Sequence, residues 1–168
     1  GSLGSNTTAS NNVAVGYNCL GANSTGANNT AVGSLTLDAN TTGNKNTALG
    51  YDAGSNISTG NENTTLGQNA ASTLTTGSYN ILLGDDSDVN VSGASNQIVI
   101  GHGATGHGDN IAVIGNTDNT AWHPADDNGV DLGSSSYEFK DVYVDGVTYT
   151  DALGFGTTAM TLPTADGS

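Results

Sequence analysis

The chain has 168 residues, with 25 glycines but only two Phe and one Trp, and its formal net charge is −14. Two lysines and no arginine cannot neutralise a phosphate backbone or an anionic bilayer, which argues against nucleic acid and membrane surfaces as partners. Membrane insertion is not expected either, since no run of about 20 apolar residues occurs. The scarcity of large apolar side chains predicts an oligomer rather than a thick core within one chain.

An anchor glycine recurs through the first two thirds of the chain. Five successive intervals between these glycines are 17 residues long and the last is 14. A period of this length is too long for a coiled-coil heptad and too short for a propeller blade, but it matches one coil of a β-solenoid. The structural turn glycines of the repeat are Gly16, Gly33, Gly50, Gly67, Gly84, Gly101 and Gly115.

Each anchor glycine closes a short apolar run of the kind that forms a β-strand. The residue directly before the glycine is always apolar, and we expect this column to face the coil interior or a shared axis. Its members are Val15, Val32, Leu49, Leu66, Leu83 and Ile100. A second glycine, ten residues after the anchor, predicts a corner with a positive φ at Gly26, Gly43, Gly60 and Gly77.

An asparagine stands four residues before the anchor glycine in five consecutive coils. Stacked parallel strands lie about 4.8 Å apart, so such a column can pass amide hydrogen bonds from coil to coil while it tolerates a left-handed corner. We expect this Asn ladder to hold corners rather than to bind a ligand. Its members are Asn12, Asn29, Asn46, Asn63 and Asn80.

Two runs of the repeat carry a resemblance to a known family. The runs Asn29–Gly33, NTAVG, and Asn46–Gly50, NTALG, resemble the head repeats of trimeric autotransporter adhesins and of related phage tail-fibre proteins. The resemblance covers residues 11–116 and implies a left-handed parallel β-roll in which three chains pack around one axis. Coils in those families are commonly 14 residues long, like the final interval of this chain. The 17-residue coils therefore carry three extra loop residues.

A second resemblance lies downstream. Residues 131–144, DLGSSSYEFKDVYV, are similar to a segment that precedes the carboxy-terminal chaperone domain of tail-fibre proteins, and residues 162–168 resemble the lead-in to that domain. We therefore expect the chain to be one segment of a longer protein. Asp145-Gly146 between two β-rich runs predicts a hairpin. The absence of heptads disfavours the stalk that follows an adhesin head, and so favours the virion.

These patterns predict an all-β chain with almost no helix. The fold is a parallel β-roll or β-solenoid, expected as a homotrimer and followed by a small β-hairpin module. We divide the chain into a lead segment (1–10), the β-roll (11–116), a linker (117–127), a small β module (128–156) and a connector (157–168).

Loop residues that vary within the strict register are candidates for receptor contact, because variation on a rigid scaffold is how loops carry recognition. These candidates are Asn23, Asn40, Ile57, Leu74 and Asn90, and the aromatic residues available for stacking on a sugar are Tyr137, Phe139 and Tyr143. The alternative, a spacer whose receptor site lies elsewhere in the protein, stays open.

Two polar clusters are candidates for a structural divalent cation, the only cofactor that the sequence suggests. A transition metal shared by three chains would use His102, His107 and Asp109. A Ca²⁺ ion would use Asp85, Asp86 and Asp88, but their spacing lacks the glycine and the distal Glu of a calcium loop. Turn-forming residues and a solvated acidic corner are the respective alternatives.

Catalysis has no support in the sequence, because no nucleophile has a nearby base and acidic residues are sparse in the first half. Cys19 has no His in its coil and is expected to be a small interior residue. The predicted function is a structural fibre segment at the virion surface that supports host attachment, with other fibre or tail proteins and a host glycan or surface protein as partners. The alternative is an adhesin head on the bacterial cell surface, and the third reading is an ice-binding solenoid that uses Thr25, Thr42, Thr59 and Thr76.

Overall fold

A computed structural model of the chain describes residues 1–125 and 130–145. All regular structure in these residues is β, and each strand is three residues long. The strands are β1 (Val13–Val15), β2 (Thr30–Val32), β3 (Thr47–Leu49), β4 (Thr64–Leu66), β5 (Ile81–Leu83), β6 (Ile98–Ile100) and β7 (Ala112–Ile114). The described residues hold no helix with the length and apolar character needed to cross a membrane.

The seven strands form one parallel sheet in the order of the sequence. Each residue of β1 to β5 pairs with the residue 17 positions later, as Val13 does with Thr30, and β6 pairs with β7 at a spacing of 14, as Ile98 does with Ala112. One strand per coil with this register is a β-solenoid, so the predicted fold class is confirmed. The oligomeric part of that prediction stays open.

The solenoid also includes the residues expected to be an irregular lead. Backbone amides of Leu3 and Ser5 donate to the carbonyls of Cys19 and Gly21, at 3.0 and 3.1 Å, just as Leu20 N donates to Thr36 O one coil later. Residues 1–10 therefore stack on the first full coil in the same register. The chain divides into two compact units, Gly1–Trp122 and His123–Ser168, and of the second only residues 123–125 and 130–145 are described.

The coil interior is narrow and is lined on the strand side by the middle residue of each strand. These inward residues, at most 1% exposed, are Ala31, Ala48, Thr65, Leu82 and Val99. Residues of the loops fill the opposite side, among them Leu20, Leu37, Ile57 and Leu74, all fully buried. Eleven residues after Leu20 and Leu37 the strand residue is Ala31 or Ala48, whereas eleven residues after the smaller Ala71 it is Leu82.

The predicted interior column lies on the outer side of the sheet instead. Val15 is 57% exposed, Leu49 48% and Leu66 44%, while Val32, Leu83 and Ile100 are half-buried. Successive side chains of a strand point to opposite sides. With three residues per strand only the middle one can enter the lumen, and the apolar residue before the glycine must face outward. The column therefore does not face the coil interior. The shared axis, the other predicted location, exists only between chains.

The two glycine columns serve different needs. The anchor glycines have φ between +134° and +141° from Gly16 to Gly101, a region that disfavours any side chain. The second glycines, such as Gly26, do not have a positive φ, so that prediction is wrong. A Cβ at Gly26 would instead overlap the carbonyl oxygen of Gly43 in the next coil. Non-glycine residues in the left-handed region form columns of their own, and one of these, with φ of 55–66°, contains Asn11, Asn28, Lys45, Glu62, Tyr79, Asn96 and Asn110.

Candidate functional site

The Asn ladder is a continuous hydrogen-bonded spine. In each coil the side-chain oxygen accepts from the backbone amide of the next ladder residue, as Asn29 Oδ1 does from Asn46 N at 2.8 Å. The side-chain nitrogen donates to the carbonyl 14 residues later, as Asn29 Nδ2 does to Gly43 O at 2.8 Å; this carbonyl belongs to the second glycine in four coils and to Ala94 in the fifth. The pattern continues until Gln97 N donates to Asn80 Oδ1 at 3.0 Å. The side chains of this column are thus committed to hydrogen bonds between coils.

Four of the five loop residues predicted to contact a receptor are inside the coil. Asn23, Asn40, Ile57 and Leu74 are all fully buried, so their side chains cannot meet a receptor. Asn40 Nδ2 donates to Asn23 Oδ1 at 2.9 Å, which makes a second, shorter amide ladder. The loop turns inward at this position, and its sequence variation adjusts the packing of the lumen rather than the surface.

The fifth candidate, Asn90, is exposed, and its Oδ1 accepts from Gln97 Nε2 at 2.6 Å. The shorter ladder ends where Ile57 follows Asn40, which leaves Asn40 Oδ1 buried without a hydrogen-bond partner among the described residues. Ile111 takes the place of Gln97 one coil later, and Gln97 Oε1 is likewise buried without a hydrogen-bond partner among the described residues. Asn40 and Gln97 are the last polar members of their ladders, and both residues are fully buried.

The outer side of the sheet presents two parallel columns of side chains. The column before the anchor glycine is apolar in all seven strands, from Val15 to Ile114. The column two residues earlier is mixed, with Thr30, Thr47 and Thr64 between Val13 and the exposed Ile81 and Ile98. This surface, which we call the strand face, is flat, regular and uncovered in the single chain.

The exposed Thr column lies elsewhere on the coil. Thr25, Thr42, Thr59 and Thr76 are exposed, one per coil, while the hydroxyls of the residues before them tie the coils together. Ser24 Oγ, for example, donates to Thr41 O at 3.0 Å. The Thr column is therefore free to meet solvent or a ligand, but it is only one residue wide.

Within one chain, the structure does not bring His102, His107 and Asp109 together, and a site shared by three chains stays a prediction. Asp109 Oδ1 accepts from Ser95 N at 2.8 Å and acts as a turn cap. His107 instead lines a shallow depression near Val113 and Ile114. His102 lies beside Asp85 and Asp86 of the preceding coil, and one potential ligand atom from each of the three residues lies within 4.8 Å of the others.

The predicted Asp85, Asp86 and Asp88 set is also divided. Asp88 caps the backbone, since its carboxylate accepts from Ser72 Oγ at 2.8 Å, from Thr73 N at 3.0 Å and from Val89 N at 2.8 Å. Its oxygens are thus committed to the fold. Sequence reasoning missed the pairing of Asp85 with His102, although both follow an anchor glycine directly and stack at the 17-residue spacing.

Cys19 is fully buried and its Sγ lies 3.1 Å from Ala31 O. Burial raises the pKa of this thiol, which keeps it protonated and a poor nucleophile.

The aromatic residues of the second unit are open to solvent. Tyr137 and Tyr143 are 83% and 92% exposed, and Phe139 is exposed as well. Regular pairing among residues 130–145 is limited to a bridge between Ser134 and Tyr137. The predicted hairpin extends beyond Asp145 and, like the predicted connector, lies outside the described residues.

The chain has no match among protein-family models, curated proteins or solved structures.

Proposed function

We propose that this chain is a non-catalytic structural fibre segment that assembles as a homotrimer at the surface of a virion and supports host attachment. The observation that carries the proposal is the strand face, an uninterrupted apolar column on the outside of a rigid solenoid. Isolated apolar residues are ordinary on protein surfaces, but a contiguous exposed patch marks an interaction site. The resemblance of the NTAVG and NTALG runs to trimeric fibre and adhesin repeats supplies the number of chains.

The size of the strand face bears on how the chains would meet. Seven strands spaced about 4.8 Å apart, each three residues long, give a face of roughly 30 Å by 10 Å. That area of roughly 300 Å² is smaller than the ~800 Å² per partner of a stable interface. We therefore expect further exposed residues, including Tyr17 and Tyr51 just after their anchor glycines, to be buried in the trimer.

A trimeric solenoid works by rigidity and multivalency, since three chains turn weak contacts into useful avidity. The inward-facing loops remove four of the five predicted loop contacts from the surface, which favours the spacer role over a binding head for residues 1–122. A host glycan or surface protein would then meet Asn90, the exposed aromatic residues Tyr137, Phe139 and Tyr143, or another part of the longer protein. Other fibre or tail proteins would join at the ends of the segment.

The bacterial adhesin head remains the alternative, with the same trimeric assembly at the bacterial cell surface. An ice-binding solenoid is the weaker third reading, because the exposed Thr column is one residue wide and the strand face is mainly apolar. Inhibition of ice growth by the chain at micromolar concentration would favour it over a fibre segment.

The assembly is tested by the mass of the chain in solution and by one charged substitution. Analytical ultracentrifugation should give a trimer for the wild type and a monomer for Leu66→Asp. The side chain of Leu66 is 44% exposed, so an Asp there should leave the coil folded and the β-sheet circular dichroism unchanged. The matched control Thr76→Asp places the same charge on the Thr column of the same coil and should stay trimeric. A monomeric wild type, or a Leu66→Asp trimer, contradicts the proposed interface.

The attachment role needs a separate experiment. The folded, trimeric chain should compete with the virion that carries it for host cells if it holds the receptor site. A folded trimer that does not compete at high micromolar concentration restricts the chain to the spacer role.

A further inference from the structure

Three metal-ligating side chains meet on the solenoid surface near its last coils. Asp85 and Asp86 directly follow the anchor Gly84, and His102 directly follows the anchor Gly101. Asp85 and His102 therefore occupy the same position of two consecutive coils, and stacking brings them together. Within the described part of the chain, this is the one place where three His, Cys, Asp or Glu side chains come close enough to share an ion.

The spacing of the ligand atoms suits an ion better than a direct contact. Asp85 Oδ2 and His102 Nε2 are 3.8 Å apart, which is too long for a hydrogen bond. Two ligands bound to one ion at about 2.1 Å lie about 3.0 to 3.5 Å from each other at octahedral or tetrahedral angles. A movement of less than about 1 Å in exposed side chains would bring both atoms into a coordination sphere.

The local hydrogen bonds leave the ligand atoms free. Asn69 Nδ2, from the coil below, donates to Asp86 Oδ1 at 2.6 Å and holds that carboxylate in place by one oxygen. Asn116 Nδ2, from the coil above, donates to the backbone oxygen of His102 at 2.9 Å. Orientation of ligands by such outer contacts is a regular feature of metal sites. The second oxygen of Asp86 and the His102 ring remain available.

The charge around the cluster is uncompensated. Lys45 is the one Lys or Arg of the solenoid unit, and its Nζ lies 3.1 Å from Glu62 Oε1, coils away from this site. Two neighbouring carboxylates thus lack a lysine or arginine partner in residues 1–122. A bound cation would remove their mutual repulsion.

We propose that Asp85, Asp86 and His102 bind one divalent transition-metal ion of the Zn²⁺ class. The imidazole selects against Mg²⁺ and Ca²⁺, which prefer oxygen ligands, and favours Zn²⁺, Ni²⁺ or Co²⁺. Because the ligands come from two coils, the ion ties the last 17-residue coil to the 14-residue coil and braces the end of the solenoid. Three protein ligands in an exposed site leave positions for water, so the ion exchanges with the medium.

Isothermal titration with Zn²⁺ at physiological salt tests the site. The wild type should bind one ion per chain, and His102→Ala should weaken the affinity at least tenfold. His107→Ala is the matched control, because this exposed histidine lies in the same coil, and the His107→Ala/His123→Ala double variant should bind like the wild type. Circular dichroism of each variant checks that the fold is retained.

Two further measurements complete the test. Asp85→Asn should also lose affinity, and millimolar Ca²⁺ should not displace the Zn²⁺. The proposal is overturned if His102→Ala binds as tightly as the wild type, if the loss follows His107 or His123 instead, or if Ca²⁺ competes equally, which would mean diffuse binding to an acidic surface.

Discussion

The solenoid and the described segment 130–145 use their apolar residues in opposite ways. In the solenoid, each coil donates backbone hydrogen bonds to the next, and the middle residue of nearly every strand is buried. In residues 130–145, Leu132 is 75% exposed and Val142, Tyr137 and Phe139 are exposed too. A periodic sequence lets each turn cover its neighbour, so one chain can close a core of narrow width. A segment without that period has to find cover from outside itself.

The largest effect should come from breaking the close approach between coils. Gly50→Ala adds a Cβ at φ +137° and within 2.5 Å of Gly67 O in the next coil. Left-handed strain and a backbone overlap together should cost about 3 kcal/mol or more. Chemical unfolding measures the loss. The control Gly93→Ala, where the nearest atom is at an ordinary 3.6 Å, should be close to neutral, and equal losses in the two variants would contradict this account.

A matched pair of leucines tests the difference between the two regions directly. Leu82 is fully buried between Thr65 and Val99 of the adjoining strands, so Leu82→Ala should cost about 2–5 kcal/mol in the free energy of unfolding. Leu132→Ala removes an exposed side chain and should change the stability of the isolated chain by no more than about 0.5 kcal/mol. A large loss for Leu132→Ala in the isolated chain would contradict the exposure of this side chain.

The smallest effect concerns a carboxyl group and depends on pH. Burial, with the repulsion of Asp52 as a second cause, raises the pKa of Asp38 above its usual 3.8. The ionised group therefore destabilises the fold above its raised pKa, and this penalty disappears as the pH falls below 3.8. Asp38→Asn should raise the melting temperature at pH 7, with the gain shrinking toward pH 3.

The variant Asp52→Asn should act in the same direction but less strongly, because it removes only the second cause. A gain for Asp38→Asn that is the same at pH 7 and pH 3 would show that the charge of Asp38 is not responsible.

Much of the solenoid followed from spacing alone. The glycine interval predicted one strand per coil and the register of 17. The Asn column predicted the hydrogen bonds from coil to coil, since identical amides that stack on one another are the nearest partners available. The same logic, applied to the residue after each anchor glycine, would have placed Asp85 beside His102. The partners of His102 were missed because His107 and Asp109 are nearer in sequence, whereas in a solenoid the neighbours in space are one coil away.

By itself, the sequence determined the period, the parallel register and the columns that stack, because each coil must repeat its backbone path to satisfy its neighbour's hydrogen bonds. Only the tertiary structure decided which columns of side chains face the interior of the coil. Val15 and Leu66 are more apolar than Ala31 and Ala48, yet Ala enters the lumen because Leu20 and Leu37 already fill it from the loop side. The loop residues Ile57 and Leu74 are fully buried as well. Strand and loop residues fill the narrow lumen together, so the sequence at one position does not show whether that residue is buried.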